Sequence, residues 1–251
     1  MRVYKNPAAA DELVRKSQDY LKEKYPRAEG VHVSDLIRCR VAGWYERNGY
    51  AKSEHSTETL TMFLMGQGHH AVLENGQPEY HLEVDMDGIR ITGTVDKMEW
   101  DVDPKRGTPA ELKTTKYSAK KMVWEMQHYV EQLASYCVMH GATFGRIHVF
   151  HMMGDYAKQR QPVLHTWEIE FSEDELSKWE SVMKQRARLL MSDTIPPLSE
   201  HRDWECEYCP FNVKRGGPCE ATGGSKMVYF VSETELEDAV SALRASLSKG
   251  E

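Results

Sequence analysis

A chain of 251 residues with 40% hydrophobic and 28% charged residues can bury a substantial core, either as one sizeable domain with appendages or as two small domains. Its formal net charge of −7 excludes the wholesale basic coat that grips duplex DNA over a wide surface. No apolar run is long enough to span a bilayer, and Met1-Arg2-Val3-Tyr4-Lys5-Asn6 lacks the apolar stretch of a signal peptide, so a cytoplasmic protein with no membrane attachment is expected.

Pro7 to Lys24 reads as a helix with proline near its start, and Ser34 is placed to cap a second helix running through Cys39 to about Arg47. A third helix is expected from about Ser56 to Glu74, closed by Asn75-Gly76. From Glu79 the period changes to two. Tyr80, Leu82, Val84 and Met86 alternate with polar residues up to Asp87-Gly88, and Ile89 to Val95 follows, which is the pattern of a β-hairpin with a favoured turn. Lys97 to Trp100 extends it, and Pro109 to Thr114 supplies the next strand of what should be one sheet. Ser118 is then expected to open a long helix to about His140, and two strands follow at Arg146–Met152 and Val163–Phe171. Ser172 with Glu175 forms a capping box for a helix ending near Ser192. Ile195-Pro196-Pro197 breaks the pattern before a cysteine-rich stretch, and the chain closes with a short strand over 226–231 and a helix from Ser232. This order predicts a mixed α/β core over 77–192, preceded by helices over 1–76 and followed by a cysteine-rich region over 193–225 and an appendage over 226–251, all in one compact domain.

The chemistry gathers around Glu111-Leu112-Lys113. Strand alternation sends Glu111 and Lys113 to one face and Leu112 to the other. With Asp96 on the neighbouring run, two carboxylates can hold a hard divalent cation beside a lysine, as phosphodiester cleavage requires. In the third helix, Gly66, His70 and Glu74 share a face. His70 can present a nitrogen to the same cation, tilting a magnesium-type site towards manganese, and Gly66 would admit another backbone. His69 lies on the stripe of Met65, Val72 and Leu73 and reads as a core residue. Gln132 and Tyr136 share a face of the long helix, where an amide can orient a phosphate and a tyrosine can stack on nucleic acid. Lys105, Arg106, Lys116, Lys120 and Lys121 surround the tripeptide as a basic patch, with Lys116, Lys120 and Lys121 the candidate DNA contacts.

Cys206, Cys209 and Cys219 supply three thiolates, and Cys39 could bring a fourth, a ligand set that suits tetrahedral zinc or an iron–sulfur cluster. Cys137, inside a helix, reads as a small buried hydrophobe.

Gly66-x-x-x-His70, Gly93-x-x-Asp96, Glu111-Leu112-Lys113 and Gln132-x-x-x-Tyr136 follow one another as in the RecB-type PD-(D/E)xK nucleases, which the chain resembles from about Ser34 to Cys219. One early and three late cysteines resemble the iron–sulfur subgroup, which includes the CRISPR-associated RecB-like exonucleases (the Cas-four group) and phage-borne relatives. The resemblance implies a restriction-endonuclease-like fold, a mixed sheet flanked by helices. It implies Mn²⁺ or Mg²⁺ on His70, Asp96, Glu111 and the carbonyl of Leu112, and Lys113 positioning the attacking water. Gln132 and Tyr136 would organise the site and contact DNA. Cys39, Cys206, Cys209 and Cys219 would hold a 4Fe-4S cluster that staples the early helices to the cysteine-rich region, although the interval from Cys209 to Cys219 exceeds the subgroup's usual spacing and leaves zinc or a remodelled loop open. The expected activity is exonucleolytic, on single-stranded or frayed DNA ends, with CRISPR integration proteins or recombination and replication proteins as partners. The rival expectations are a DNA-end-binding or spacer-selection subunit acting mainly with CRISPR integration proteins, and a zinc-bearing DNA-binding module.

Overall fold

The computed structural model describes residues 7–24, 29–73, 79–156, 161–198, 202–221 and 230. The strand expected over 226–231, apart from Phe230, and the helix from Ser232 lie outside the described residues.

Seven helices and seven strands are described, in the order α1 (Pro7–Lys24), β1 (Val31–His32), α2 (Val33–Ile37), α3 (Arg40–Arg47), α4 (Thr57–Leu73), β2 (Tyr80–Met86), β3 (Ile89–Val95), β4 (Lys97–Glu99), β5 (Thr108–Thr115), α5 (Gln127–His140), β6 (Phe144–His151), β7 (Val163–Glu170), α6 (Glu173–Leu190) and α7 (Asp203–Tyr208). The hairpin falls where alternation put it, with Met86 opposite Ile89. Asp87 and Gly88 turn the chain at φ values of 56° and 80°, the left-handed pair that matches strand twist. Ser172 caps α6 and Glu175 returns the bond, as the sequence indicated.

Three expectations are corrected. First, the strands form two sheets rather than one, ordered β1-β3-β2 and β4-β5-β6-β7. β1, too short to be seen in the sequence, pairs in parallel with Ile91 and Thr92 of β3. Each sheet mixes parallel and antiparallel pairs, and the chain passes from one to the other at Asp96, between Val95 and Lys97. Second, the helix from Ser34 to Arg47 is two helices. His32, not Ser34, caps α2, and Arg38 is extended. The Cys39 amide donates to the Glu205 carboxylate at 2.9 Å instead of to a helical carbonyl, leaving Cys39 as the first residue before α3. Third, α5 starts at Gln127, not Ser118. The intervening amides of Ala119, Lys120 and Met122 are taken by Gly154 O, Ser118 Oγ and the Glu125 carboxylate, so the run closes as turns and a 3-10 segment at Val123–Glu125.

The parallel β5–β6 pair is joined by the crossover that contains α5, and α5 is buried along most of its length. Leu133, Ala134 and Cys137 meet Ile147, Val149 and, from α6, Trp179 and Met183 in the main core. Burial pushes the Cys137 thiol up to about 12, as befits a small buried hydrophobe. The end of the described chain joins this core: Phe230 packs on Phe171 and Trp179, with ring centroids at 5.3 and 5.5 Å.

One charge cluster lies inside. Glu131 of α5 is 0% exposed and accepts from Arg186 of α6 at 3.3 Å and from Arg202, just before α7, at 2.8 Å on each oxygen. The same guanidinium groups donate to the carbonyls of Leu36 and Ile37 at the end of α2, at 3.0 and 2.8 Å. Four segments distant in sequence thus share one buried ion cluster. Because removing one partner of such a cluster strands the other charges without solvent, Glu131→Gln should destabilise the protein by about 3–5 kcal/mol. The drop in the urea unfolding midpoint, at unchanged slope, measures it.

Candidate active site

The site forms where the two sheets meet. Asp96 accepts the Leu112 amide of β5 on Oδ2 at 2.8 Å, which fixes the junction against the neighbouring strand. Glu111 and Lys113 project to the α5 side, as alternation requires, and the Lys113 ammonium is ion-paired with Glu111 Oε1. Glu111 is 0% exposed, and its second oxygen, Oε2, is buried with no hydrogen-bond partner. Burial, reinforced by Asp96 and opposed by Lys113, pushes the Glu111 carboxyl up to about 8. For Lys113, burial works against the charge, but Glu111 and Asp96 outweigh it and raise the ammonium above its ordinary value.

His70, on α4, stands 3.7 Å from Asp96 Oδ1, with the Leu112 backbone beside it. Burial lowers its pKa, with Asp96 pulling the other way. His70, Asp96, Glu111, Leu112 and Lys113 are therefore brought together, although among the described residues no three His, Cys, Asp or Glu side chains are grouped so as to hold one metal ion. The Lys113 ammonium itself occupies one Glu111 oxygen. Glu74, expected on the same face, lies outside the described residues. A Cβ on Gly66 would meet nothing within 4 Å, so the close backbone approach expected there is not made. His69 packs its ring on Phe150 at 4.2 Å, whereas Met65 and Val72 of the supposed core stripe face solvent.

Gln132 and Tyr136 are coupled as a pair, with Gln132 Nε2 donating to the Tyr136 hydroxyl at 3.0 Å. The expectation that Tyr136 contacts DNA is corrected: the residue is 1% exposed and leans on Gly93. A Cβ at Gly93 would lie 2.9 Å from Tyr136 Cε1 and 3.0 Å from a Val33 methyl, so glycine there is the space into which Tyr136 packs. Burial, and then the charges of Glu111 and Asp96, raise the phenol well above its ordinary value, and it acts as a neutral hydroxyl.

The basic patch divides. Lys116, Lys120 and Lys121 lie on the loop between β5 and α5, with Lys120 paired to Asp155 at 3.3 Å and Lys121 4.0 Å above the Tyr117 ring. Arg106 instead meets His140 at the far end of α5 through its carbonyl.

Cys39, Cys206, Cys209 and Cys219 share a second apolar cluster with Val41, Trp44, Tyr45 and Phe211 and line one cavity of about 450 Å³. Burial pushes the Cys39 thiol up to about 11 and raises Cys209. The long interval from Cys209 is folded back on itself. Cys219 N–H donates to Phe211 O and Val213 N–H to Cys219 O, at 2.8 and 2.7 Å. Gly217 permits that return, since a Cβ there would fall 2.2 Å from the Phe211 carbonyl group.

Three residues near the site escaped the sequence reading. Glu79 adds a carboxylate whose pKa is raised by burial and by Asp96. The Tyr129 ring centroid lies 5.6 Å from Lys113 Nζ, and His128 packs beside it at 4.2 Å. Glu79 was legible only as the residue ahead of the hairpin, and His128 and Tyr129 only as the first turn of a helix whose start was misplaced.

The comparisons give the family in which this junction of strand carboxylates and lysine is set. The sequence profile of the PD-(D/E)XK nuclease superfamily matches residues 2–213, and the chain belongs to that superfamily, whose members are typically divalent-metal-dependent nucleases. Among solved structures, the Sulfolobus protein SSO0001 aligns over 84% of this chain and 96% of its own, at 21% identity and a TM-score of 0.57, a likeness of fold. Two structures of Scheffersomyces stipitis Rai1 align over 77% of this chain and 69% of their own, at 10% and 11% identity, with TM-scores of only 0.28 and 0.26. No curated protein gives a significant match.

Filling the Gly93 space should displace Tyr136 and break its bond with Gln132. Gly93→Ala is expected to cost about 1–3 kcal/mol, the usual penalty of overpacking, and to lower nuclease activity with it. Thermal unfolding and DNA cleavage assays on the same preparation check both.

Proposed function

We propose that the protein is a divalent-metal-dependent deoxyribonuclease acting as an exonuclease on single-stranded or frayed DNA ends. The observation that carries the reading is the Glu111 Oε2 atom, buried and without a partner beside Asp96. Two carboxylates at the end of one strand and within another leave a buried acceptor that suits a hard cation. Mn²⁺ or Mg²⁺ would be held by His70, Asp96, Glu111 and the carbonyl of Leu112. When bound, the cation supplies Lewis acidity and lowers the pKa of a water molecule.

The chain's own residues do the remainder. Lys113, charged and hydrogen-bonded to Glu111, holds its ammonium where negative charge grows on the phosphate oxygens as water adds and the P–O bond to the leaving sugar oxygen breaks. Asp96, held by the Leu112 amide, keeps its free oxygen towards His70. Gln132 and Tyr136 brace α5 against Gly93, which sets the distance between α5 and the hairpin. Lys116, Lys120 and Lys121 favour a polyanion approaching from the β5–α5 loop. End-labelled DNA digested with Mn²⁺ tests the reading: the wild type should release end nucleotides, and Lys113→Ala should lose at least about 100-fold, the scale of losing one charge-stabilising donor. DNA binding with no cleavage in any divalent metal would instead favour a DNA-end-binding subunit serving CRISPR integration proteins. A role in CRISPR adaptation or in phage recombination and replication fits this activity equally, and the partners would differ accordingly.

For the cysteine site, four cysteines around one apolar cavity favour a 4Fe-4S cluster, and the loop that folds Cys219 back to Phe211 keeps it at that cavity across the long interval from Cys209. Protein purified without oxygen should be brown, with a broad absorption shoulder near ~400 nm and about four irons per chain. A colourless protein carrying zinc would show a zinc-bearing site instead.

A further inference from the structure

A line of rings leads away from Lys113. The Tyr129 centroid lies 5.6 Å from its ammonium, the His128 ring 4.2 Å from Tyr129, and the Trp204 ring 5.5 Å from His128. Trp204 ends the line with 41% of its surface in solvent, an unusual exposure for an indole that also closes the edge of the cysteine cavity. The line is lined with positive charge. Besides burial, the fields of Arg202, Lys113 and Lys121 all bear on His128 and hold its imidazole neutral, its pKa pushed down to about 3. On the same loop, Lys121 stands over Tyr117, itself 38% exposed. An exposed indole face near a lysine suits single-stranded nucleic acid, because a cation follows the phosphates while bases stack on π-faces. Duplex DNA, whose bases already stack on one another, could not use the rings.

We propose that Trp204, backed by His128, forms a stacking platform for the bases of a single-stranded DNA end on its way to Lys113. The proposal rests on the nuclease reading and adds a residue-level path for its single-stranded substrate: the strand enters over Trp204, with its phosphates towards Lys121 and its bases on the indole. Trp204 stands two residues before Cys206 on the same short helix, so the strand's path and the cysteine cavity share a wall.

Binding is measured without cleavage, in chelator, by fluorescence anisotropy of labelled oligothymidylate and of an abasic oligonucleotide of equal length. Trp204→Leu keeps an apolar cover over the cysteines but removes the π-face. It should weaken oligothymidylate binding about tenfold, the scale of one lost base stack, and leave the abasic strand unaffected, while Trp204→Phe stays within about threefold of wild type, a ring still being present. Equal loss on both strands, or no loss on oligothymidylate, overturns the proposal. Should the leucine variant unfold, wild-type protein is irradiated with an oligonucleotide carrying 5-iodouracil. A crosslink on the peptide bearing Trp204 supports the platform, and crosslinks confined to other peptides overturn it. Because neither measurement requires cleavage, a protein that stacks bases but fails to cut in Mn²⁺ would refute the nuclease reading alone.

Discussion

Glu131 and Gln132 are neighbours on α5 and face opposite duties. Glu131 turns inward to Arg186 and Arg202, and Gln132 turns to Tyr136 and, through it, to the Gly93 side of the hairpin. The buried ion cluster is the constraint on which the rest depends, because it fixes the rotation of α5. A few degrees of roll would break it, with no water available to compensate the charges. The same rotation sets Tyr136 against β3, and β3 runs into Asp96. The cost of burying three charges is met by completing their bonds with the carbonyls of Leu36 and Ile37, so the arrangement has few alternatives.

The cluster also explains how residues far apart in the chain come to share the thiolate cavity. Arg202 holds the start of α7 to α5 and α2, while Glu205, within α7, accepts both the Arg202 and Cys39 amides, at 2.7 and 2.9 Å. Cys39 and Cys206 are thus brought to one wall by protein–protein bonds alone. Phe211 and Ala42 line the cavity beside the cysteines, and Val41, Trp44 and Tyr45 pack with them in one apolar cluster.

Much of the fold was legible because local rules governed it. The Asp87-Gly88 turn, the Ser172 box and the alternation along β6 and β7 are each decided within a few residues. Strand parity likewise put Glu111 and Lys113 on one face of β5, whereas His70, on α4, and Asp96, between β3 and β4, are brought beside them by the fold. What could not be read depended on distant partners. The break at Cys39 is made by a carboxylate 166 positions away, the late start of α5 by Gly154 and neighbouring side chains, and the division into two sheets by a bend at Asp96 that no alternation records. Tyr136 was misjudged for a related reason. A helix face can be read from spacing, but whether that face meets solvent or a glycine on another strand cannot.

Gln127, the first residue of α5, clasps Phe230 through both ends of its amide, donating to the Phe230 carbonyl at 2.7 Å and accepting the Phe230 amide at 3.3 Å. The two bonds imitate a single rung of β-ladder, so one distal residue is fastened to the helix that carries the catalytic scaffold. A chain clipped upstream of Phe230 would lose the ring that packs on Phe171 and Trp179 and leave the Gln127 amide without its mate. Phe230 is in this sense a stopper for the core.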